Sequence, residues 1–278
     1  MTDLPLAGDR VASDAAKSAR PAARRAKPAG PRLKLWTWGS IIAGLALWEL
    51  AGRVFASRSL FLTTPTQALQ TIWELTLSGE LERHALVSGQ AFIAGYVLGC
   101  AGGLLIGLAM GISRRANAAL GPWVSGLYAT PVIAITPLLI LWFGIGVWSK
   151  IAVVISLVIF PMIINTDAGV RSTDRALIDA ARSFGANPLQ IFTKVCLPSA
   201  MPFVLAGLKM AVGRGLIAVV VGELFGARAG LGFMIQQAAE VFAMPRLFAG
   251  VIVLAAAGIL LTALFNRLER VLVPWNRA

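Results

Sequence analysis

The chain has 278 residues, 57% of them hydrophobic and only 14% charged, with a mean hydropathy of +0.76. Soluble domains carry about a quarter charged residues and cannot hide so much apolar surface, so the composition excludes an ordinary soluble protein. The net charge of +12 is divided between a polar N-terminal tail and short loops beside apolar runs. This distribution favours contact with anionic lipid headgroups over a nucleic-acid partner.

Residues 1–34 are rich in Ala, Pro, Ser, Lys and Arg. Such a segment buries too little apolar surface to offset its chain entropy, so it is predicted to be a disordered basic tail. It is too long and polar for the first part of a signal peptide, and no convincing cleavage site follows. The next apolar stretch is therefore interpreted as a retained membrane anchor.

A membrane-spanning helix needs about 20 mainly apolar residues. The sequence offers six candidates, which predict an all-α membrane protein with about six transmembrane helices: 35–51, 85–112, 124–143, 151–165, 202–225 and 247–264. Pro131 and Pro137 interrupt the third candidate and predict a kink in it. The link 144–150 is too short for more than a tight turn.

The positions of Lys and Arg predict the orientation of these spans. With the N-terminus inside, 17 of the 25 basic residues lie on the cytoplasmic side and 6 on the outer side, while Lys209 and Arg214 lie within the fifth span. Inner loops are enriched in Lys and Arg, so both termini are predicted to be cytoplasmic. An odd number of spans would destroy this asymmetry.

A short amphipathic helix is predicted outside the membrane, after the first span. Thr64 is placed to cap it, Pro65 suits its first position, and Gly79 ends it. Its apolar face is formed by Leu69, Ile72, Trp73, Thr76 and Leu77. The predicted division is therefore a tail (1–34), a first span with this helix (35–84), a transmembrane core (85–267) and a short C-terminal tail (268–278).

The cytoplasmic loop between the fourth and fifth spans, 166–200, is predicted to form two short helices with a sharp bend. Thr173 or Asp174 can cap the first helix, and Gly185 suits the left-handed residue that ends it. Asn187 and Gln190 can form a capping box for the second helix, which Pro198 is expected to end. A bent amphipathic pair fits either a hairpin resting on lipid or a docking element for a soluble partner.

The loop carries a motif with defined spacing. It reads Asp179-Ala180-Ala181, three residues, Gly185, nine residues, then Val195-Cys196-Leu197-Pro198. It resembles the motif Glu-Ala-Ala, three residues, Gly, nine residues, Ile-x-Leu-Pro of the integral membrane subunits of bacterial ATP-binding cassette (ABC) importers. Asp179 and Val195 depart conservatively from that motif, and the shorter Asp179 would need an adjusted contact with a partner.

Further segments are similar to one branch of this family, the nitrate, taurine and aliphatic-sulfonate importers. They are Pro131, residues 134–146 (AITPLLILWFGIG), Gly222-Glu223 and residues 226–235 (GARAGLGFMI). The resemblance covers most of the chain outside the tail. It implies a type I importer permease that forms the path for a small anionic solute.

The resemblance also implies the partners. The permease would form a dimer in the bacterial inner membrane, with two cytoplasmic ATPases and an extracytoplasmic substrate-binding protein. The loop residues Asp179, Ala180, Ala181, Gly185, Val195, Leu197 and Pro198 would dock on the ATPase. The chain contains no GxxxxGK[ST] motif, so ATP and Mg²⁺ are expected on the partner, and this chain is expected to bind no cofactor and catalyse no reaction.

Charged residues in or beside spans are candidates for the translocation path. A charge at the bilayer centre costs at least about 2.5–3.5 kcal/mol, so such residues usually face protein or water. Arg214 could donate a forked pair of hydrogen bonds to an anion, or make a structural contact with a neighbouring span. Glu223, Pro131 and Pro137 complete the candidate path, and Lys209 is expected to reach towards the cytoplasmic interface.

Other classes of protein fit less well. A secondary transporter would be expected to have more spans and repeated halves, and a channel would conduct without ATP. HExxH, GxSxG and clustered carboxylates are missing, which argues against a membrane enzyme, and Cys100, Cys196 and the single His84 offer neither a disulfide nor a metal site. An ABC importer for another small solute, such as a vitamin precursor or a phosphonate, stays open.

Overall fold

The structure is a computed structural model that describes residues 31–56 and 62–273. Within these ranges the backbone is helical and contains no strand. Most of the predicted disordered tail and the last residues of the C-terminal tail lie outside the described residues, and those predictions stay untested.

Helix α1 (Pro31–Ala56) begins within the predicted tail and contains the predicted first span. The chain divides after Trp48 into two units, and the part of α1 up to that residue belongs to the first. Its apolar side chains, including Leu35 and Trp36, are exposed. In the second unit, Glu49 accepts hydrogen bonds from Arg53 and Thr66.

Helix α2 (Pro65–Leu77) confirms the predicted amphipathic helix and its start. Thr64 and Gln67 form a capping box, and Pro65 occupies the first turn. Ala68 and Leu75 face the protein, whereas Leu69, Trp73 and Leu77 are exposed. Gly79, in the left-handed conformation, separates α2 from α3 (Glu80–Ile112).

Four helices of the described residues are long and apolar enough to cross a membrane: Glu80–Ile112, Val147–Arg171, Pro188–Gly226 and Met244–Leu272. They contain the second, fourth, fifth and sixth predicted spans, and the prediction of a helical membrane protein is confirmed. We name the second of them α6 and the last α11. Helix α1 is not one of these four.

The predicted interruption of the third span at Pro131 is confirmed, and it is sharper than a kink. This segment forms two helices, α4 (Arg114–Ala129) and α5 (Val132–Phe143), which meet at an angle of 98°. Thr130 adopts an extended conformation, as expected for a residue that precedes a proline. The break falls at Thr130 and Pro131, while Pro137 lies inside α5 without ending it. Counting this bent pair as one span gives up to five candidates among the described residues, one fewer than predicted.

Close packing of α3 on α6 forms the centre of the molecule. Glycines at every fourth position of α3 face α6, and a Cβ added to any of them would collide with it or press tightly against it: Gly95, Gly99, Gly103, Gly107 and Gly111. At Gly103 the added atom would lie 2.6 Å from the carbonyl oxygen of Ile159. The missing side chains let the two backbones approach, as small residues do in membrane helix pairs.

Two apolar clusters pack further helices against this pair. The larger contains residues of α3, α6 and the helix Leu197–Gly226, including Phe92, Val158 and Val212. The smaller joins α2 and α3 to the helix Leu231–Glu240 and to α11 through Leu75, Leu81, Leu231, Met234 and Ala249. Helices on either side of the loop motif are thereby fixed to one core.

Candidate functional site

The loop motif begins with helix α7 (Arg175–Ser183). Asp174 caps it by accepting a hydrogen bond from the Ala176 amide at 2.9 Å. At the other end, Gly185 N donates to Arg182 O, and Ala186 N donates to Ala181 O at 3.0 Å. These two bonds form a Schellman motif with Gly185 in the left-handed conformation (φ +77°), which confirms the predicted bend.

Helix α8 (Pro188–Ile191) follows, and its predicted capping box is confirmed. The Gln190 amide donates to Asn187 Oδ1, and the Asn187 amide donates to Gln190 Oε1. A π-helical turn, Phe192–Cys196, then leads directly into α9 (Leu197–Gly226). The expectation that Pro198 ends the second helix is wrong, because the wider turn changes the hydrogen-bond register just before the proline.

The bend exposes apolar side chains. Phe184 is 92% exposed and Leu189 is 70% exposed, on the two sides of Gly185. Asp179, Ala180 and Gly185 are exposed, and Asp179 accepts a hydrogen bond from Arg182 at 3.2 Å. The remaining motif residues are half-buried, namely Ala181, Val195, Leu197 and Pro198. Exposed side chains of this size beside a fixed bend are typical of a contact surface.

A cleft lies at the base of this loop. Its volume is about 740 Å³, and its walls include Leu177 of α7, Val195 and Pro198 before and within α9, and Phe203. The second half of the motif therefore packs towards the membrane helices, while the first half faces away from them.

A buried polar cluster lies at the opposite end of α6 and α9, about 30 Å along α6 from the loop at ~1.5 Å per residue. Glu223 is fully buried, and its carboxylate accepts hydrogen bonds from Ser88 Oγ at 2.8 Å and from the Gly232 amide at 2.8 Å. Lys150 Nζ lies 3.4 Å from Glu223 Oε1 and donates to the Ala229 carbonyl at 2.9 Å.

Side chains of this cluster, distant in sequence, accept hydrogen bonds from the backbone at the start of helix α10 (Leu231–Glu240). Gly230 N donates to His84 Nδ1 at 3.0 Å, and Leu231 N donates to Ser88 Oγ at 2.8 Å. With the bond from the Gly232 amide, three consecutive backbone donors are satisfied by side chains of α3 and α9. A carboxylate at a helix N-terminus is also favoured by the helix dipole. Both carboxylate oxygens of Glu223 therefore have hydrogen-bond partners within the protein.

Arg214 lies elsewhere, on a partly exposed face near the middle of α9. Its Nη2 donates to Tyr128 Oη of α4 at 2.7 Å, and its Cζ lies 5.0 Å from the centre of the Tyr128 ring. Arg214 and Glu223 do not meet, as their separation by half a turn predicts. Lys209 pairs with Glu269 of α11.

The candidate path residues are thus only partly brought together. Pro131 and Pro137 are exposed on the bent pair of helices that also carries Tyr128, and Glu223 belongs to the separate buried cluster. Tyr128, Lys150 and Ser88 were missed by sequence reasoning. Lys150 begins an otherwise apolar helix, a signal that its charge needs a buried partner, whereas Tyr128 and Ser88 carry no such signal.

Comparison with known proteins gives relatives over most of the chain. The aliphatic sulfonates transport permease SsuC of Bacillus subtilis is 36% identical over 91% of this chain and 92% of its own length. The formylaminopyrimidine transport permease ThiX of Halalkalibacterium halodurans is 34% identical over 84% of this chain and 92% of its own. The taurine transport permease TauC of Escherichia coli is 33% identical over 88% and 94%.

The fold is shared with a solved importer. The methionine ABC transporter MetNI, in an inward-facing conformation, contains a chain that matches 76% of this chain and 99% of its own length, with a TM-score of 0.56 and 20% identity. The family model for the inner membrane component of binding-protein-dependent transport systems matches residues 102–278, which include the bent loop and, from the buried cluster, Lys150 and Glu223. The chain is thus a multi-pass protein of the bacterial inner membrane and belongs to the family of binding-protein-dependent transport system inner membrane components, the permease subunits of ABC importers.

Proposed function

We propose that this permease forms, as a dimer, the translocation path of an ATP-driven importer for a small organic anion of the sulfonate type. The sulfonate and taurine relatives support the substrate class. A separate binding protein would deliver the anion, and two ATPases, which hold ATP and Mg²⁺, would drive the cycle.

The exposed bend at Gly185 is the observation that supports coupling of this chain to the ATPase. Phe184 and Leu189 present apolar surface that the described residues leave uncovered, while Asp174, Gly185 and Asn187 fix the backbone around them. A pre-ordered apolar surface loses little conformational entropy on docking, so it suits a groove on a soluble partner. Asp179 and Ala180 lie on the exposed part and would contact the ATPase directly.

The half-buried part of the motif would transmit the movement. Val195, Leu197 and Pro198 join the bend to α9 without a break, and α6 ends only a few residues before α7. Closure of the ATPases would draw the two loops of the dimer together and change the tilt of these helices. The bent pair with Pro131 and Pro137, and Arg214 opposite it, would line the path.

Docking can be tested by copurification with the partner ATPase. Phe184→Ser should reduce the amount of ATPase that copurifies on the order of tenfold or more, since large exposed apolar anchors dominate interfaces. Trp73→Ser, which removes an exposed aromatic from α2, is the matched control and should copurify normally. Equal copurification of both variants would contradict this role of the loop.

A vitamin precursor is the second candidate substrate, because the formylaminopyrimidine permease is nearly as similar as the sulfonate permease. Uptake of labelled ethanesulfonate by vesicles that contain the permease, its ATPase and its binding protein distinguishes the two. Uptake that depends on ATP, and that excess formylaminopyrimidine leaves unchanged, supports the sulfonate assignment; uptake of the pyrimidine alone contradicts it.

A further inference from the structure

Arg214 has no counter-ion among residues 31–56 and 62–273. It lies about 18 Å along α9 from Gly226 and about 26 Å from Leu197 at ~1.5 Å per residue, near the middle of a helix that is long and apolar enough to cross a membrane. Among the described residues no carboxylate lies within ion-pair distance of it. Its single hydrogen-bond partner there is the neutral hydroxyl of Tyr128. A guanidinium at this depth is costly unless an anion or water compensates it.

The described part of a second copy offers no suitable acid. The acidic residues of the long described helices already have cationic partners, apart from Glu82 at the exposed start of α3: Glu80 with Arg246, Asp167 with Arg171, Glu223 with Lys150 and Glu269 with Lys209. All of these except Glu223 lie near helix ends, and Glu223 is fully buried. The described residues of a second copy therefore supply no free negative charge at the depth of Arg214.

Tyr128 fixes the orientation of the Arg214 side chain. The phenol oxygen accepts one guanidinium N–H at 2.7 Å, and the ring lies beneath the guanidinium carbon at 5.0 Å, so the side chain is held in one orientation. Tyr128 also stacks at a tilt against Phe160 of α6, which supports the ring. In the described part of the chain, no acceptor takes the phenol proton or the other guanidinium N–H groups. Together they form a fork of donors that matches an oxyanion.

The pair is accessible from outside the protein. Tyr128 is 37% exposed and Arg214 is half-buried. A small group with several oxygens can therefore approach the donors.

We propose that Arg214 and Tyr128 form the anion-selecting site of the translocation path, where a sulfonate group briefly replaces the missing counter-ion. This inference rests on the proposed function and adds the residues that select the substrate charge. No covalent chemistry is involved. The permease would contribute selectivity of its own, beyond that of the binding protein.

The test uses the complete complex in lipid vesicles, with labelled ethanesulfonate as the probe. Arg214→Gln should assemble and hydrolyse ATP in response to the loaded binding protein, yet import at least tenfold less ethanesulfonate per ATP, because hydrogen bonds to a charged group are lost. Arg214→Lys should recover part of this loss, since it restores the charge without the fork. Tyr128→Phe should reduce uptake per ATP severalfold. The matched control is Arg83→Gln, an exposed arginine at the start of α3.

The ratio of uptake to ATP hydrolysis separates selection from a structural role, which would lower both together. Uptake per ATP within twofold of the original protein in Arg214→Gln would overturn the proposal. If Arg214→Gln does not assemble, Tyr128→Phe decides, and an unchanged ratio there overturns it. A wild-type complex that imports no ethanesulfonate contradicts the proposed function instead, and is recognised before any variant is compared.

Discussion

Lys150 Nζ lies 3.4 Å from Glu223 Oε1, and both side chains are shielded from solvent. The pair joins the start of α6 to the last turns of α9, and Ser88 and the start of α10 complete its hydrogen bonds. Removal of one partner leaves an uncompensated buried charge, which is costlier than loss of the pair as a whole.

Lys150→Met should therefore lower the free energy of unfolding by about 3–5 kcal/mol. The double variant Lys150→Met/Glu223→Gln should recover part of that loss, because no charge is left unpaired. Thermal unfolding in detergent can be followed by the reaction of a thiol dye with Cys100, which is buried in the folded chain. Lys194→Met removes an exposed lysine and serves as the control; equal midpoints for both methionine variants would count against a structural role of the pair.

Gly230→Ala should disturb the same cluster from the backbone side. A Cβ at this position would lie 2.1 Å from Glu223 Oε1, and φ is +134°, a conformation that side chains disfavour. The variant should unfold at a markedly lower temperature. Gly89→Ala in α3, where nothing lies within 4 Å, should be neutral or stabilising by about 0.5–1 kcal/mol. Similar effects of the two changes would show that the loop before α10 adapts freely.

Neighbouring glycines of α3 provide a test of helix packing. Gly103→Ala should destabilise the chain by about 1–3 kcal/mol, because the backbone of α6 must move to admit the methyl group. Gly102→Ala meets only the flexible end of Ile159 at 3.6 Å and should have little effect. The midpoints of thermal unfolding of the two variants check this directly. A lower midpoint for Gly102→Ala than for Gly103→Ala would contradict the prediction.

At the bend, Gly185→Ala should weaken docking of the ATPase without affecting the membrane core. The left-handed conformation costs about 1–2 kcal/mol for residues other than glycine, so the Schellman motif would open. Gly185→Asn should retain more docking, because asparagine tolerates this conformation better. Copurification with the ATPase measures docking, and the unfolding midpoint should stay unchanged. If Ala and Asn behave alike, the conformation of Gly185 does not control the contact.

Local chemistry made the loop predictable from sequence. Asp174, Gly185 and Asn187 act through hydrogen bonds to residues within a few positions, so their roles can be read from spacing alone. The long helices α3, α6 and α11 were equally accessible, because continuous apolar runs depend on composition. The role of the loop residues in docking stays a prediction.

Contacts between distant residues could not be predicted in the same way. Ser88 and Glu223 are separated by 135 positions, and Tyr128 and Arg214 by 86. No periodic pattern links such residues, and only packing of α3, α6 and α9 brings the first pair together. The angle between α4 and α5 was missed for a related reason: Pro131 marks a break, but the direction of the chain beyond it depends on tertiary contacts.

The absence of a break between α8 and α9 has a mechanical consequence. From Pro188 to Gly226 the helix runs for 39 residues, about 58 Å at ~1.5 Å per residue. A tilt of this helix by about 10° around its midpoint would displace each end by about 5 Å. The π-helical turn Phe192–Cys196 is the point at which this helix can bend. A displacement of its cytoplasmic end by the ATPase would therefore also displace Glu223 and the start of α10 at the opposite end.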